Sequence, residues 1–208
     1  MNDNQNEILS QQILPYSERT ITGAKLHKPF IHKEYSELCS RGAQGRRVLV
    51  VGSGLNTQRW RDLSCTTLDL DPQFNPDLVA DANYLGKAVN PESQSIIISE
   101  YLTLDPTGRE GVNLDLFLPQ VFASLVKGGK FFFVSAAAII EPPERITILP
   151  PNEFLGLLKK NGFRNVASWN GPLGITMKAK QVGTKQVVDD FYADLAVIYY
   201  GQKVVTES

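Results

Sequence analysis

An α/β domain built on a mainly parallel sheet is predicted by three features of this 208-residue chain. Val48-Leu49-Val50-Val51 is a continuous apolar run, and Ser95-Ile96-Ile97-Ile98-Ser99 is another. Strands buried on both faces of a parallel sheet read this way, whereas half-exposed strands alternate apolar with polar residues. Segments of helical spacing stand between such runs, and alternating strands and helices build α/β domains. Small and acidic residues also gather directly after the strands, where open α/β sheets bind their ligands.

Composition narrows the function classes. Hydrophobic content of 42% and charged content of 21% suit a soluble globular chain of one-domain size. A net charge of −1 argues against nucleic acid as a partner, because phosphate binding normally leaves a basic excess. Cys39 and Cys65 are too few for a disulfide framework and lack metal-ligand spacing, so two reduced thiols and no metal are expected. Met1 to Ser10 does not read as a signal peptide. No apolar run approaches the roughly 18 residues of a membrane span. A cytoplasmic protein without a membrane partner is the expectation.

The polar first residues read as frayed, and Leu26 to Leu38 has helical spacing interrupted by Pro29. With the connector Arg41 to Arg47, this divides the chain into an N-terminal helical segment, residues 1–45, and a ligand-binding domain, residues 46–208. The strand Val48–Val51 runs into Gly52-Ser53-Gly54, and Asn56 or Thr57 can cap a short helix through Leu63. Thr66-Thr67-Leu68 is a strand ending at Asp69-Leu70-Asp71-Pro72, and Leu78-Val79-Ala80 one ending at Asp81. The run Ser95–Ser99 ends at Glu100-Tyr101. A helix over Leu116 to Val126 is expected to stop at Gly128-Gly129, and Lys130 to Val134 opens the next strand. A helix from Pro151 or Asn152 closes at Asn161-Gly162, and strands follow over Phe163–Trp169 and Leu195–Tyr200.

The chemistry concentrates after the strands. Gly52 and Gly54 let the main chain approach a ligand, the following helix offers unpaired N–H groups, and Ser53 adds a hydroxyl. About fifteen residues on, Asp69 can accept both hydroxyls of a ribose, with Leu70 beside it. Asp81 and Ala82 stand where an adenine amino group is met, although Asp81 also reads as a helix cap. Ser99, Glu100 and Tyr101 form the expected cleft floor. His27 and His32, five apart, do not share a helix face, and no Ser-His-Asp set or phosphate-loop lysine is present.

In this order the motifs resemble those of class I S-adenosylmethionine-dependent methyltransferases across roughly Val48 to Val166. Val48-Leu49-Val50-Val51-Gly52-Ser53-Gly54 is similar to their first motif, and Leu68-Asp69-Leu70-Asp71-Pro72 to the second. Leu78-Val79-Ala80-Asp81-Ala82 is similar to the adenine-side motif, and Ile96 to Tyr101 falls at the fourth strand. Leu125 to Phe131 resembles the family's turn into strand five, Leu157 to Phe163 its turn into strand six, and Glu144-Arg145-Ile146-Thr147 a stretch found before that helix. The resemblance implies a Rossmann-like methyltransferase fold: a mainly parallel seven-stranded twisted sheet, helices on both faces, and an antiparallel last strand. It implies S-adenosyl-L-methionine as cofactor, held by Gly52, Ser53, Gly54, Asn56, Asp69, Leu70, Asp81, Ala82, Ser99, Glu100 and Tyr101. Two positions depart from the pattern. Val50 stands where the family often has an acid, and Asn56 where it has a third glycine, a place that a left-handed asparagine can fill.

The implied reaction is methyl transfer to a small or medium acceptor. Alignment of the reacting atoms, worth roughly 7–11 kcal/mol, matters more than a dedicated base. Glu100, Tyr101, Glu141 and Glu144 are candidates where a base is required. Two alternatives stand beside this reading. One is a degenerate scaffold, motivated by Val50 and Asn56. The other is a nicotinamide oxidoreductase, for which Thr57 fits poorly where the longer fingerprint wants a small residue. The acceptor, the role of residues 171–190 and the oligomeric state have no signature.

Overall fold

The structure, a computed structural model, describes residues 29–105, 107–109, 111–136, 151–171, 178–180, 187–189 and 196–204. It opens with α1 (Pro29–Arg41), then β1 (Val48–Val51), a 3-10 turn at Gly54–Asn56 and α2 (Thr57–Asp62). Next come β2 (Thr66–Asp69), β3 (Leu78–Val79), α3 (Leu85–Ala88), β4 (Gln94–Glu100) and α4 (Leu114–Ser124). The second half holds β5 (Leu125–Ala136), α5 (Pro151–Lys160), β6 (Arg164–Gly171), β7 (Lys178–Lys180), β8 (Val187–Asp189) and β9 (Ala196–Gln202).

Seven strands form one sheet in the order β3-β2-β1-β4-β5-β9-β6. Neighbours are parallel from β3 to β5, and β9 runs antiparallel to both β5 and β6. The mainly parallel sheet with an antiparallel last strand is therefore observed. Strand periodicity splits the apolar runs into two cores. Val48, Val50, Ile96, Ile98, Phe132 and Val134 join Ile31, Tyr35 and Leu38 of α1 and Trp60 of α2 on one face. Leu49, Val51, Ile97, Phe131 and Phe133 join Phe117 and Val121 of α4 and Phe154 and Leu158 of α5 on the other. All four residues of β1 are buried, which is why that run shows no alternation.

One local expectation is corrected; another, the break at Pro29, involves Leu26 to Lys28, which lie outside the described residues, and α1 is described from Pro29 onward. Gly128 and Gly129 do not end a helix. The helix stops at Ser124, Leu125 is already extended, and both glycines lie within β5. Gly128 has φ +80 and donates its N–H to Lys203 O at 2.8 Å, a conformation that glycine adopts at little cost.

Within residues 171–190 the structure adds β7 and β8, a separate antiparallel ribbon pairing Lys178 with Asp189 and Lys180 with Val187. The insertion leaves from the end of β6 and returns at the start of β9, at the edge of the sheet where β1 and β4 also end. Strand β7 lies against the 3-10 turn that follows β1. Two strands, β5 and β4, separate β9 from β1, so the ribbon reaches about 14 Å across that edge. No described helix is long and apolar enough to cross a membrane.

Candidate functional site

The glycine turn bends because two residues take left-handed backbone, Gly52 at φ +76 and Gly54 at φ +47. Gly52 N–H donates to Leu68 O at 2.9 Å, anchoring the turn to β2. The Ser53 hydroxyl turns inward, 2.8 Å from Thr57 Oγ1, and Thr57 Oγ1 in turn donates to Gly54 O at 2.7 Å. Asn56 sits at φ −93 and ψ 2, so the left-handed backbone expected of it is not used. A side chain at this position carries no backbone strain, and the missing third glycine is of no consequence to the turn.

Asp69 meets this turn. Its Oδ2 accepts from Gly54 N–H at 2.8 Å, and Oδ1 accepts from Asp71 N–H at 3.0 Å. A carboxylate offers about four acceptor sites, so roughly two remain for a ligand. Leu70, directly after it, is 67% exposed. Asp81 caps the next turn, Oδ1 accepting from Asn83 N–H at 2.8 Å. Ala82 is buried, and the Asn83 side chain bonds Gly111 O and Asn113 N–H at 2.9 and 2.8 Å. The residues singled out after β1, β2 and β3 thus line one edge of the sheet.

At the end of β4 the side chains alternate between the two cores. Ser99 is fully buried, and its hydroxyl has no hydrogen-bond partner among the described residues. Glu100 is buried on the opposite face, where Tyr35 Oη donates to Oε1 at 2.5 Å and Trp60 Nε1 donates to Oε2 at 2.8 Å. Burial raises its pKa above the ordinary glutamate value, while the Tyr35 and Trp60 hydrogen bonds and the Arg59 charge pull it down. In this arrangement Glu100 ties α1 and α2 to β4. Tyr101 follows at φ +49, uncommon for a bulky residue, and packs partly against the first core. Glu141, Glu144, His27 and the Glu144–Thr147 stretch lie outside the described residues. His32 stacks on Trp169 with ring centroids 4.3 Å apart, away from the glycine turn.

Sequence reasoning missed Tyr35, Trp60 and Leu102. The first two are 65 and 40 residues from the acid they hold, and no local signal links such positions. Among the described residues no group of three His, Cys, Asp or Glu side chains is placed to hold a metal ion.

Solved structures share this architecture. A structure of a methyltransferase from Archaeoglobus fulgidus that depends on S-adenosylmethionine superposes with a TM-score of 0.57 at 14% identity, covering 84% of this chain and 94% of that one. The chain has the fold of the S-adenosylmethionine-dependent methyltransferases. A candidate methyltransferase from Bacillus halodurans shares the methyltransferase fold at TM-score 0.54 and 11% identity, over 84% of this chain and 99% of the other. Phosphoethanolamine N-methyltransferase 2 of Haemonchus contortus, solved with S-adenosylhomocysteine, gives 0.51 at 12% identity over 83% of this chain and 53% of that one. No protein-family model matches the sequence, and no curated protein does. At such identities the likeness is one of fold.

Proposed function

We propose that this chain binds S-adenosylmethionine at the edge formed by the ends of β1, β2 and β3, and transfers its methyl group to a small or medium acceptor. The observation that carries this reading is the meeting of Gly54 and Asp69. The turn that offers open main chain and the acid that follows the neighbouring strand lie 2.8 Å apart, at the switch-point edge of a methyltransferase fold.

The residues present fit the cofactor. Gly54 leaves its outer side unobstructed, since a Cβ there meets nothing within 4 Å. Asp69 keeps acceptor capacity for ribose hydroxyls after serving Gly54 and Asp71. Leu70 presents an exposed apolar surface for a purine face. Asp81 uses one oxygen as a cap and retains the other toward an amino group. The cofactor supplies a methyl group already activated on a sulfonium. The protein's part is to align the acceptor and keep water out.

Calorimetry with S-adenosylmethionine, S-adenosylhomocysteine and reduced nicotinamide dinucleotide tests the binding step. Binding of the first two and not the third is expected, and a folded chain that binds neither adenosyl ligand overturns the reading. Methylated product from any acceptor then separates an enzyme from a scaffold that binds without turnover.

A further inference from the structure

The glycine turn has one open side and one closed side. Gly54 is open, but a Cβ built on Gly52 would lie 2.3 Å from Leu102 Cδ2 and 3.1 Å from Glu100 O. A single leucine side chain therefore fills the space that the glycine leaves. Leu102 belongs to no helix or strand; it stands between the end of β4 and the isolated bridge joining Leu104 to Val112.

We propose that Leu102 sets the ligand affinity of this site: its side chain occupies the seat beside the Gly52 main chain that the ligand must take, and binding requires it to swing away. This rests on the reading that the turn binds S-adenosylmethionine.

The residues on its N-terminal side are built for such a movement. Glu100 is fixed, both carboxylate oxygens being held by Tyr35 and Trp60. Tyr101 N–H is tied to Val134 O at 2.9 Å, so the sheet is anchored up to that atom. The next rotatable bonds belong to Tyr101, which sits at φ +49. Bulky residues disfavour that region, so a return of Tyr101 to extended backbone is downhill locally and carries Leu102 off Gly52. What holds Leu102 in place is its packing against the second core and, one residue on, the bond that Val112 N–H donates to Thr103 O at 2.8 Å. Observed affinity is then the intrinsic affinity scaled by the fraction of molecules with the seat vacated.

The test compares wild type, Leu102→Ala and Leu102→Met by calorimetry and stopped-flow with S-adenosylhomocysteine, with thermal melting of each. Leu102→Ala is expected to bind about three- to tenfold more tightly, through faster association, while its melting temperature falls. A leucine that merely packs the turn would lower both stability and affinity, so opposite signs are the signature. Should Leu102→Ala fail to fold, Leu102→Met, flexible and nearly equal in volume, is expected to associate faster than wild type. Wild-type binding with unchanged or weaker binding by the folded variants overturns the inference alone. No binding by any of the three overturns the proposed cofactor and this inference with it.

Discussion

Trp60 Nε1 donates to Glu100 Oε2 at 2.8 Å, joining the helix that follows the glycine turn to the strand beside it. Tyr35 supplies the other donor, so one carboxylate, bonded to no cation among the described residues, holds three elements together. Burying an ionised carboxylate costs several kcal/mol unless its surroundings compensate, and here two neutral donors do so only in part.

The folded-state pKa of Glu100 is raised, chiefly by burial, so the folded protein retains this proton to higher pH than the unfolded chain. Its contribution to stability is full below the ordinary glutamate value of 4.5 and is lost as pH rises through the folded value. Within that window the slope is about −1.4 kcal/mol per pH unit. Glu100→Gln lacks this term; its amide oxygen can still accept from Trp60, while its NH2 donates to the Tyr35 oxygen once that hydroxyl rotates. Denaturant melts of the two proteins across pH are expected to show the variant gaining on wild type as pH rises. Glu100→Ala strands both donors above a cavity and is expected to lose about 3–5 kcal/mol.

Asp69 serves Gly54 and Asp71 together, and an asparagine has only one oxygen to offer. Asp69→Asn is expected to lose about 1 kcal/mol of stability. Losing a charge-assisted bond to a ribose hydroxyl weakens S-adenosylhomocysteine binding about tenfold to a hundredfold. Calorimetry that finds affinity unchanged in the folded variant would remove Asp69 from the ligand's contacts.

Gly52→Ala collides with Leu102, and its backbone at φ +76 is strained as well. A loss of about 1–3 kcal/mol is expected. The Leu102 part of the collision disappears when Leu102→Ala is present, so a double-mutant cycle should show coupling, leaving the 3.1 Å approach to Glu100 O and the backbone part. Additive losses would mean that Leu102 already yields freely.

Burial raises the Cys39 thiol to about 12 and the Cys65 thiol to about 11. Thiolate, the reactive form, is therefore scarce at pH 8 in the folded protein. A disulfide reagent is expected to titrate neither cysteine rapidly under native conditions and both in guanidinium; a fast native phase would contradict the packing around α1.

How much of this was legible in the sequence follows from how local each signal is. The run Val48–Val51 and the glycines after it announced a buried strand and a tight turn, because burial and positive φ select residue types directly. Asp69 could be singled out because it ends a strand that composition already marks, and Asp81 because it follows one closely. The inward course of Glu100 was not legible: alternation along β4 gives it a face, but only α1 and α2 decide that the face is covered. Gly128-Gly129 misled for the opposite reason. The same left-handed glycine serves a helix end and an irregular strand, and its bond to Lys203, distant in sequence, settles the matter. The ribbon of β7 and β8 had no signature, since three-residue strands are too short to show a period.

The place of β9 between β5 and β6 has a consequence for how the protein is made. Strand β5 finds β4 as soon as both are synthesised, yet its other side waits for residues 196–202. Until those residues leave the ribosome, one edge of β5 presents a row of unpaired N–H and C=O groups, backed by Phe131, Phe132 and Phe133. The nascent chain thus carries an adhesive edge from the synthesis of β5 until that of β9. Products of interrupted translation would be sticky fragments in need of a chaperone.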